Sequence, residues 1–483
     1  MHSQSKSTID RAFYSRLFAI ALPFALQLLL YAVLGLVDIM MVSQLGESSV
    51  AAVGLSNRIF YFNLVLILGI TGGVNVLAAQ YFGNKDNGGV RRCLLQAILA
   101  SAVFSVPFIV LYSLAPEQFL QLASDDAELV SLSAEYMQIT GISLLFTCLV
   151  VPIEAALRAT GDSKPPTLIS VVAIAVNIGL NWLLIFGNLG FPELGVAGSA
   201  WGTTIARLVQ TVLILWLIWR QKQWLMPVME DLKGALTRKH VKLFAGVAIP
   251  VLLHDGGWAL GTLVYTFIYG QMGVEALAIM SLLAPLEGCI YAFFLGFALA
   301  CSTMLGHELG ADRYEHAWSQ SKLFLWLGTG IAALVGISLF LLSEQIVPLF
   351  GKLGTETMQN AVYVLLVLAA ALFIKVFNTV AVIGVLRSGG DIKFSALINL
   401  CCMWGIGIPL VYISALHWLW PLYLVYLLSM SEEVVKACLV IYRLVQRKWL
   451  NNLVGKKDIE AEEVGFAVSD QNDGRSKRKR VIA

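Results

Sequence analysis

The chain has 483 residues, of which 58% are hydrophobic and only 13% charged, with a formal net charge of +2. Soluble domains average roughly 45–50% apolar and about 25% charged residues, so no soluble fold of this length hides that much apolar surface and the excess must face lipid. The net charge says nothing about partners; the placement of the charges does.

The polar start, residues 1–16, runs into a long apolar stretch with no small-residue cleavage site, so that stretch is expected to remain as an uncleaved first span. A membrane-crossing helix needs about 20 mostly apolar residues. Twelve segments qualify, near 17–43, 50–80, 93–114, 128–158, 166–187, 195–219, 243–271, 276–306, 319–343, 358–386, 393–414 and 418–446. Unpaired backbone groups are not tolerated in hydrocarbon, so these spans must be helices. Of the 33 lysines and arginines, Arg58, Arg207, Lys375 and Lys436 fall within spans and Lys352 in an odd-numbered loop. The other 28 lie at the N-terminus, in the even-numbered loops or within four residues of them at the span ends, and in the last four residues of span 12 and beyond. This asymmetry puts both termini in the cytoplasm and checks the count of twelve, since a missed span would scramble the alternation.

The halves repeat. Pro23, Gly69 and Gly83 correspond to Pro250, Gly296 and Gly310 at an offset of 227, and Gln44-Leu45-Gly46 to Gln271-Met272-Gly273. Further on, Leu157-Arg158-Ala159-Thr160-Gly161-Asp162 corresponds to Leu386-Arg387-Ser388-Gly389-Gly390-Asp391 at 229. Six spans per half preserve topology, so the halves are parallel repeats. The expected fold is an all-α integral membrane protein, twelve transmembrane helices in two parallel six-helix lobes around a central cleft. Its parts are a cytoplasmic N-terminus (1–16), an N-lobe (17–219, helices 1–6), a basic cytoplasmic linker (220–242), a C-lobe (243–446, helices 7–12) and a basic, disordered cytoplasmic tail (447–483). Such duplication is common in secondary transporters and points to transport. The seven cysteines lack zinc-like spacing and read as structural.

Charges within spans must face a cavity or a partner. Gln27, Tyr31, Gly35 and Asp38 share one face of span 1, and Asn177 and Asn181 share one face of span 5. Asp38 and Asn181 both fall in the outer half of the bilayer and could meet. A carboxylate beside amide oxygens can hold a proton or a small hard cation such as Na+; a structural hydrogen bond is the plain alternative. Gln27, Tyr31 and Tyr136 are candidates for an N-lobe pocket. In the C-lobe, His254 and Asp255 (span 7), Glu287 (span 8), and Lys375 and Asn378 (span 10) are candidates for coupling or substrate binding, with a static buried ion pair as the alternative. Glu432, Glu433 and Lys436 read as a local salt-bridged cluster. Aromatic residues such as Tyr61, Trp258, Tyr265 and Tyr291 could wall a cation site. Pro23 lets span 1 bend near a titratable Asp38. No nucleotide-binding glycine loop and no paired His-Glu metal motif occurs, so neither an ATP-driven pump nor a metalloenzyme is expected.

The chain resembles the multidrug and toxic compound extrusion (MATE) family over about residues 15–446. The resemblance rests on Val37-Asp38 followed by Gln44-Leu45-Gly46, on the Leu-Arg-x-x-Gly-Asp blocks after spans 4 and 10, on Asn177-Ile178-Gly179-Leu180-Asn181, and on Gly195-Val196-Ala197-Gly198-Ser199-Ala200. It implies two six-helix lobes and export of organic cations or other amphiphiles against a proton or sodium gradient, with Asp38 as coupling residue and Asn177 and Asn181 in the same site. Many relatives carry aspartate where Asn181 stands, which leaves the ion open. A lysine in span 10 favours protons. The resemblance implies a small-molecule substrate and a coupling ion, H+ or Na+, with no other cofactor. Both termini inside and the lack of organelle signals fit a multi-pass protein of the bacterial inner membrane or a plasma membrane, the former preferred. A monomer is expected, and the basic tail gives no reason to expect a nucleic-acid partner. A lipid-linked-precursor flippase of the same superfamily is the alternative, an intramembrane enzyme a more distant one.

Overall fold

The computed structural model describes residues 11–121, 126–350 and 354–455. The twelve expected spans are all helical. Span 1 is Arg11–Val42 and span 2 Glu47–Gly83; span 7 is Arg238–Gln271 and span 8 Val274–Gly310. The starts of spans 1 and 7, and both ends of spans 2 and 8, differ by the same 227 residues that the sequence repeat shows. Span 3 is Asn87–Leu114, span 5 Lys164–Phe186, span 6 Gly195–Gln221 and span 9 Tyr314–Ile346.

The other spans depart from single straight helices. Span 4 is two helices, Ala127–Gly141 and Ser143–Ala159, bent by 47°. Span 10 runs as an α-helix over Thr355–Thr379, then a π-helical turn over Val380–Leu386. Span 11 carries a second π turn, Met403–Gly407, between Ile392–Cys402 and Ile408–Leu416. Span 12 is Leu422–Ser429 followed by Ser431–Val445. Ten of the described helices are long and apolar enough to cross a membrane, and the bent pair of span 4 makes eleven. Span 12 falls short because Glu432, Glu433 and Lys436 interrupt it.

The lobes meet through spans 1 and 2 of the first and spans 7 and 8 of the second, and the contacts obey the repeat. A Cβ on Gly69 would lie 2.8 Å from the Leu252 Cα, and one on Gly296 would lie 3.0 Å from the Ala25 Cβ; Leu252 and Ala25 are themselves 227 apart. Nearer the basic loops the backbones almost touch. A Cβ on Gly83 would fall 2.2 Å from the His307 carbonyl oxygen, and one on Gly310 1.9 Å from that of Gln80. Each lobe then caps the other: Gln80 donates to the Ser388 carbonyl at 2.6 Å, and the His307 Nε2 bonds the Ala159 carbonyl at 2.7 Å. At the opposite end, nothing lies within 4 Å of a Cβ built on Gly35, Gly54 or Gly270. The close approaches between the lobes and the hydrogen bonds across them gather at the basic end.

The linker and the start of the tail expected to be disordered are both packed. In the linker, Met229–Ala235 is helical and docks on span 3, where Arg91 donates to Asp231 at 2.5 Å and Gln96 to the Ala235 carbonyl at 2.8 Å. Burial pushes the Asp231 carboxyl up, but the bonds from Arg91 and the Val228 N–H together with the charges of Arg91 and Arg92 outweigh it and hold the group below its ordinary value. After span 12, Trp449 is fully buried, the Leu453 N–H donates to Gln80 Oε1 at 2.7 Å, and Val454 joins the N-lobe core. Residues 447–455 therefore strap the two lobes together and are not part of a free tail. The remainder of the expected tail, 456–483, lies outside the described residues.

Adding one methyl at Gly83 or Gly310 should prevent this approach. Gly83→Ala and Gly310→Ala are expected to weaken disulfide cross-linking between cysteines placed at positions 84 and 311 on the basic side. Cross-linking as complete as in the parent would contradict the packing described.

Candidate functional site

Toward the end of the N-lobe away from the basic loops, spans 1, 5 and 6 bring Asp38, Asn177, Asn181 and Thr203 together. Asn181 donates to Asp38 Oδ1 at 2.7 Å. The orientation of Asn177 that satisfies both of its carboxamide atoms has it donate to the same oxygen at 3.1 Å and accept from the Thr203 hydroxyl at 3.3 Å. The i, i+4 spacing of the two asparagines on span 5 makes this convergence possible. Asn181 reaches Asp38 only because span 6 has a glycine opposite: a Cβ on Gly202 would lie 2.1 Å from Asn181 Oδ1. Among the described residues Asp38 makes no ion pair, and Asn181 Oδ1 has no hydrogen-bond partner. Tyr136 is buried behind the group, with its hydroxyl 3.3 Å from Asn57 Oδ1 and bonded to Thr203 and Ser199.

Gln27 and Tyr31 do not join Asp38. They lie about 10–16 Å further along span 1, at 1.5 Å per residue, in a separate network centred on Glu154 of span 4. Gln27 donates to Glu154 Oε2 at 3.0 Å and Gln210 to Oε1 at 3.1 Å. Tyr31 donates to Ser170 at 3.2 Å, and Ser170 to Glu154 at 3.3 Å. Arg158 pairs with Glu154 at 3.4 Å and covers the Phe24 ring at 4.6 Å. Arg207 donates to Gln210 at 2.8 Å and lies over the Tyr31 ring.

The C-lobe candidates fall into three groups. Arg387 Nη2 lies 2.8 Å from Asp255 Oδ1 and 2.6 Å from His254 Nδ1. His254 Nδ1 also lies 2.9 Å from Asp255 Oδ1, so the imidazole, the carboxylate and the guanidinium form one compact cluster. Lys375 pairs with Glu287. Asn378 instead donates to Glu433 Oε2 at 2.6 Å, while Lys436 donates to Glu433 Oε1 at 3.0 Å. Trp258 and Tyr291 stack with their ring centroids 5.8 Å apart.

Two charged residues central to these groups, Glu154 and Arg387, are absent from the sequence-based candidates. Arg158 and Arg387 were counted with the positive loops because they adjoin them; both are buried, at 8% and 7% exposure. The signals were present. Glu154 and Arg158 stand at i, i+4 in an apolar span, and Arg158 and Arg387 occupy the same place in the repeated Leu-Arg block. Their partners differ, Glu154 on the same span for Arg158 and Asp255 on span 7 for Arg387.

The family model MatE matches residues 23–183 and 250–413, once in each lobe. A Bacillus subtilis protein described as the uncharacterized transporter YisQ is 25% identical over 449 residues, 92% of this chain and 96% of its own length. A Thermotoga maritima protein described as a probable multidrug resistance protein NorM is 22% identical over 435 residues, 90% and 92% of the two chains. A solved structure described as the outward-facing conformation of a multidrug resistance MATE family transporter of the MOP superfamily superposes with a TM-score of 0.80 at 18% identity, covering 91% of this chain and 96% of its own.

Removing one member of a buried ion pair strands the other. Arg158→Met should lower thermal stability in detergent by about 3 kcal/mol, and adding Glu154→Gln should restore most of it. A single variant as stable as the parent would show that Glu154 is satisfied without Arg158.

Proposed function

The chain belongs to the MatE family, and from that premise we propose that it is a secondary active efflux transporter. It exports organic cations or other amphiphilic compounds across the cell's inner membrane, as a monomer without a cofactor, in exchange for protons that bind at Asp38. The observation that carries the reading is a membrane-embedded carboxylate faced by two amide donors and by no cation. Within the N-lobe spans Glu154 is committed to Arg158, whereas Asp38 is held by amides and has no ion pair among the described residues, so its charge is one that a ligand can cancel.

The donor chemistry supports a proton over sodium. Na+ is a hard cation that needs several inward-facing oxygens, whereas here both amides turn their N–H groups to Asp38. The two donors stabilise the anion, and the unshielded carboxylate attracts an organic cation into the N-lobe. Protonation cancels that attraction. A proton and a cation competing for one carboxylate cannot both be carried in the same direction, which is the condition for antiport.

Because basic residues mark the cytoplasmic side, closure at the basic end corresponds to an outward-facing state. From it the substrate leaves when a proton arrives at Asp38 from outside. A flippase for lipid-linked precursors would want free cations in the cleft. Arg158, Arg387, Lys375 and Lys436 are instead tied to carboxylates, which leaves Arg58 and Arg207 for an anionic headgroup.

The test is gradient-driven export of a fluorescent organic cation from proteoliposomes under an imposed proton gradient and, separately, a sodium gradient. Export driven by protons and abolished in Asp38→Asn is expected. Export surviving in Asp38→Asn would move coupling to the C-lobe, and no export under either gradient would favour the flippase. Gly202→Ala, which pushes Asn181 off Asp38, should slow export about tenfold, the equivalent of about 1.4 kcal/mol; unimpaired export would remove Asn181 from the site.

A further inference from the structure

The repeat predicts what should stand in the C-lobe where Asp38 stands in the N-lobe. Spans 1 and 7 are in step at 227, so the residue equivalent to Asp38 is Tyr265. Tyr265 is not a carboxylate, but its hydroxyl donates to one: Glu432 Oε2 of span 12, at 2.9 Å. The setting is built for this contact. The π turn of span 11 ends at Gly407, where a Cβ would lie 2.1 Å from the Tyr265 hydroxyl and 2.2 Å from Glu432 Oε2. Asn181, which donates to Asp38, sits likewise against a glycine, Gly202, on a neighbouring span.

The charges around Glu432 do not balance. Span 12 contributes Glu432, Glu433 and Lys436, with Glu432 8% and Lys436 6% exposed. Lys436 is bonded to Glu433. Span 10 turns Lys375 toward the cluster, but its ammonium is paired with Glu287. Span 11 adds the Cys402 thiol and span 7 the Tyr265 hydroxyl, both uncharged in their usual forms. Two buried carboxylates thus share one available ammonium. An uncompensated charge at this depth is expensive, so the group without an ion pair must be neutralised. Asn378, 3% exposed, gives its amide hydrogens to Glu433 and leaves Oδ1 buried without a partner, an acceptor in place for a further hydrogen.

We propose that Glu432 is a second proton-exchanging carboxylate, the C-lobe counterpart of Asp38, with Tyr265 as its positioning residue. An O–H bond forms on the Glu432 carboxyl as a proton enters past Tyr265, which is only half-buried, and breaks when the proton returns to water; no other bond changes. The comparison with Asp38 rests on the function proposed above, whereas the charge imbalance stands without it.

The test is infrared difference spectroscopy of the full-length protein in lipid, titrated from acidic to alkaline buffer, in the parent, Glu432→Gln, Tyr265→Phe and Asp38→Asn. The expected result is a protonated-carboxyl band that Glu432→Gln removes, that Asp38→Asn leaves in place, and that Tyr265→Phe shifts in frequency and midpoint. A spectrum unchanged by Glu432→Gln overturns the proposal. So does a Glu432 carboxylate that stays ionised throughout and responds to added Na+ instead. If Glu432→Gln fails to fold, a band unmoved by Tyr265→Phe overturns it equally. The Asp38 band is read separately, so loss of that assignment would not be mistaken for loss of this one.

Discussion

A charge inside a lipid bilayer must find a partner, and that constraint organises this molecule. Arg158 with Glu154, Arg387 with Asp255, Lys375 with Glu287 and Lys436 with Glu433 are all cross-braces between or within spans. Removing one partner from such a pair is strongly destabilising because the other is stranded. The two that join different spans, Arg387 with Asp255 and Lys375 with Glu287, therefore fix how C-lobe helices sit against one another; the other two lie within single helices. Against this background a carboxylate with no cationic partner stands out. Asp38 is held by amides and Glu432 by a phenol, and these are the two acids proposed above as proton sites, one in each lobe.

The second constraint is steric. The lobes join where small residues let backbones approach: glycines of spans 2 and 8 lie against residues of the opposite lobe at repeat-related positions. In lipid, helices gain little from apolar burial against one another and rely on close packing and hydrogen bonds. The Gln80 and His307 side chains, each bonded to a carbonyl across the interface, supply the second ingredient. Both bonds and the strap at residues 447–455 lie at the basic end. Opening that end requires breaking a compact, near-symmetric set of contacts. Alternation between two closed ends follows from a seam of this kind if comparable contacts form on the other side.

Much of this was legible before any coordinates. Apolar length gave the spans, lysine and arginine placement their order, and the offset of 227 the two lobes, down to helix ends that keep the same offset. The meeting of Asp38 with Asn177 and Asn181 followed from two helical faces at one depth. The rest depended on neighbours distant in sequence. Glu154 lies in a span whose other polar contacts come from spans 1, 5 and 6, and its network took Gln27 and Tyr31 away from Asp38. Glu432, Glu433 and Lys436 have the spacing of a local cluster, yet Glu432 turns to Tyr265 and Glu433 also binds Asn378. The two π turns have no sequence signature here; they add a residue to a turn and re-aim the side chains around it. Residues 447–455 are polar enough to read as tail and are ordered by the seam they cover.

Competition between a proton and a cationic substrate at Asp38 is the central claim, and it can be measured without a membrane gradient. Purified protein in weakly buffered detergent, loaded with protons at mildly acidic pH, would be mixed with tetraphenylphosphonium while a pH indicator reports proton release. Release from the parent that is absent or sharply reduced in Asp38→Asn, with substrate still bound, is the predicted result. Binding of the cation with the same proton release in both proteins would contradict the account.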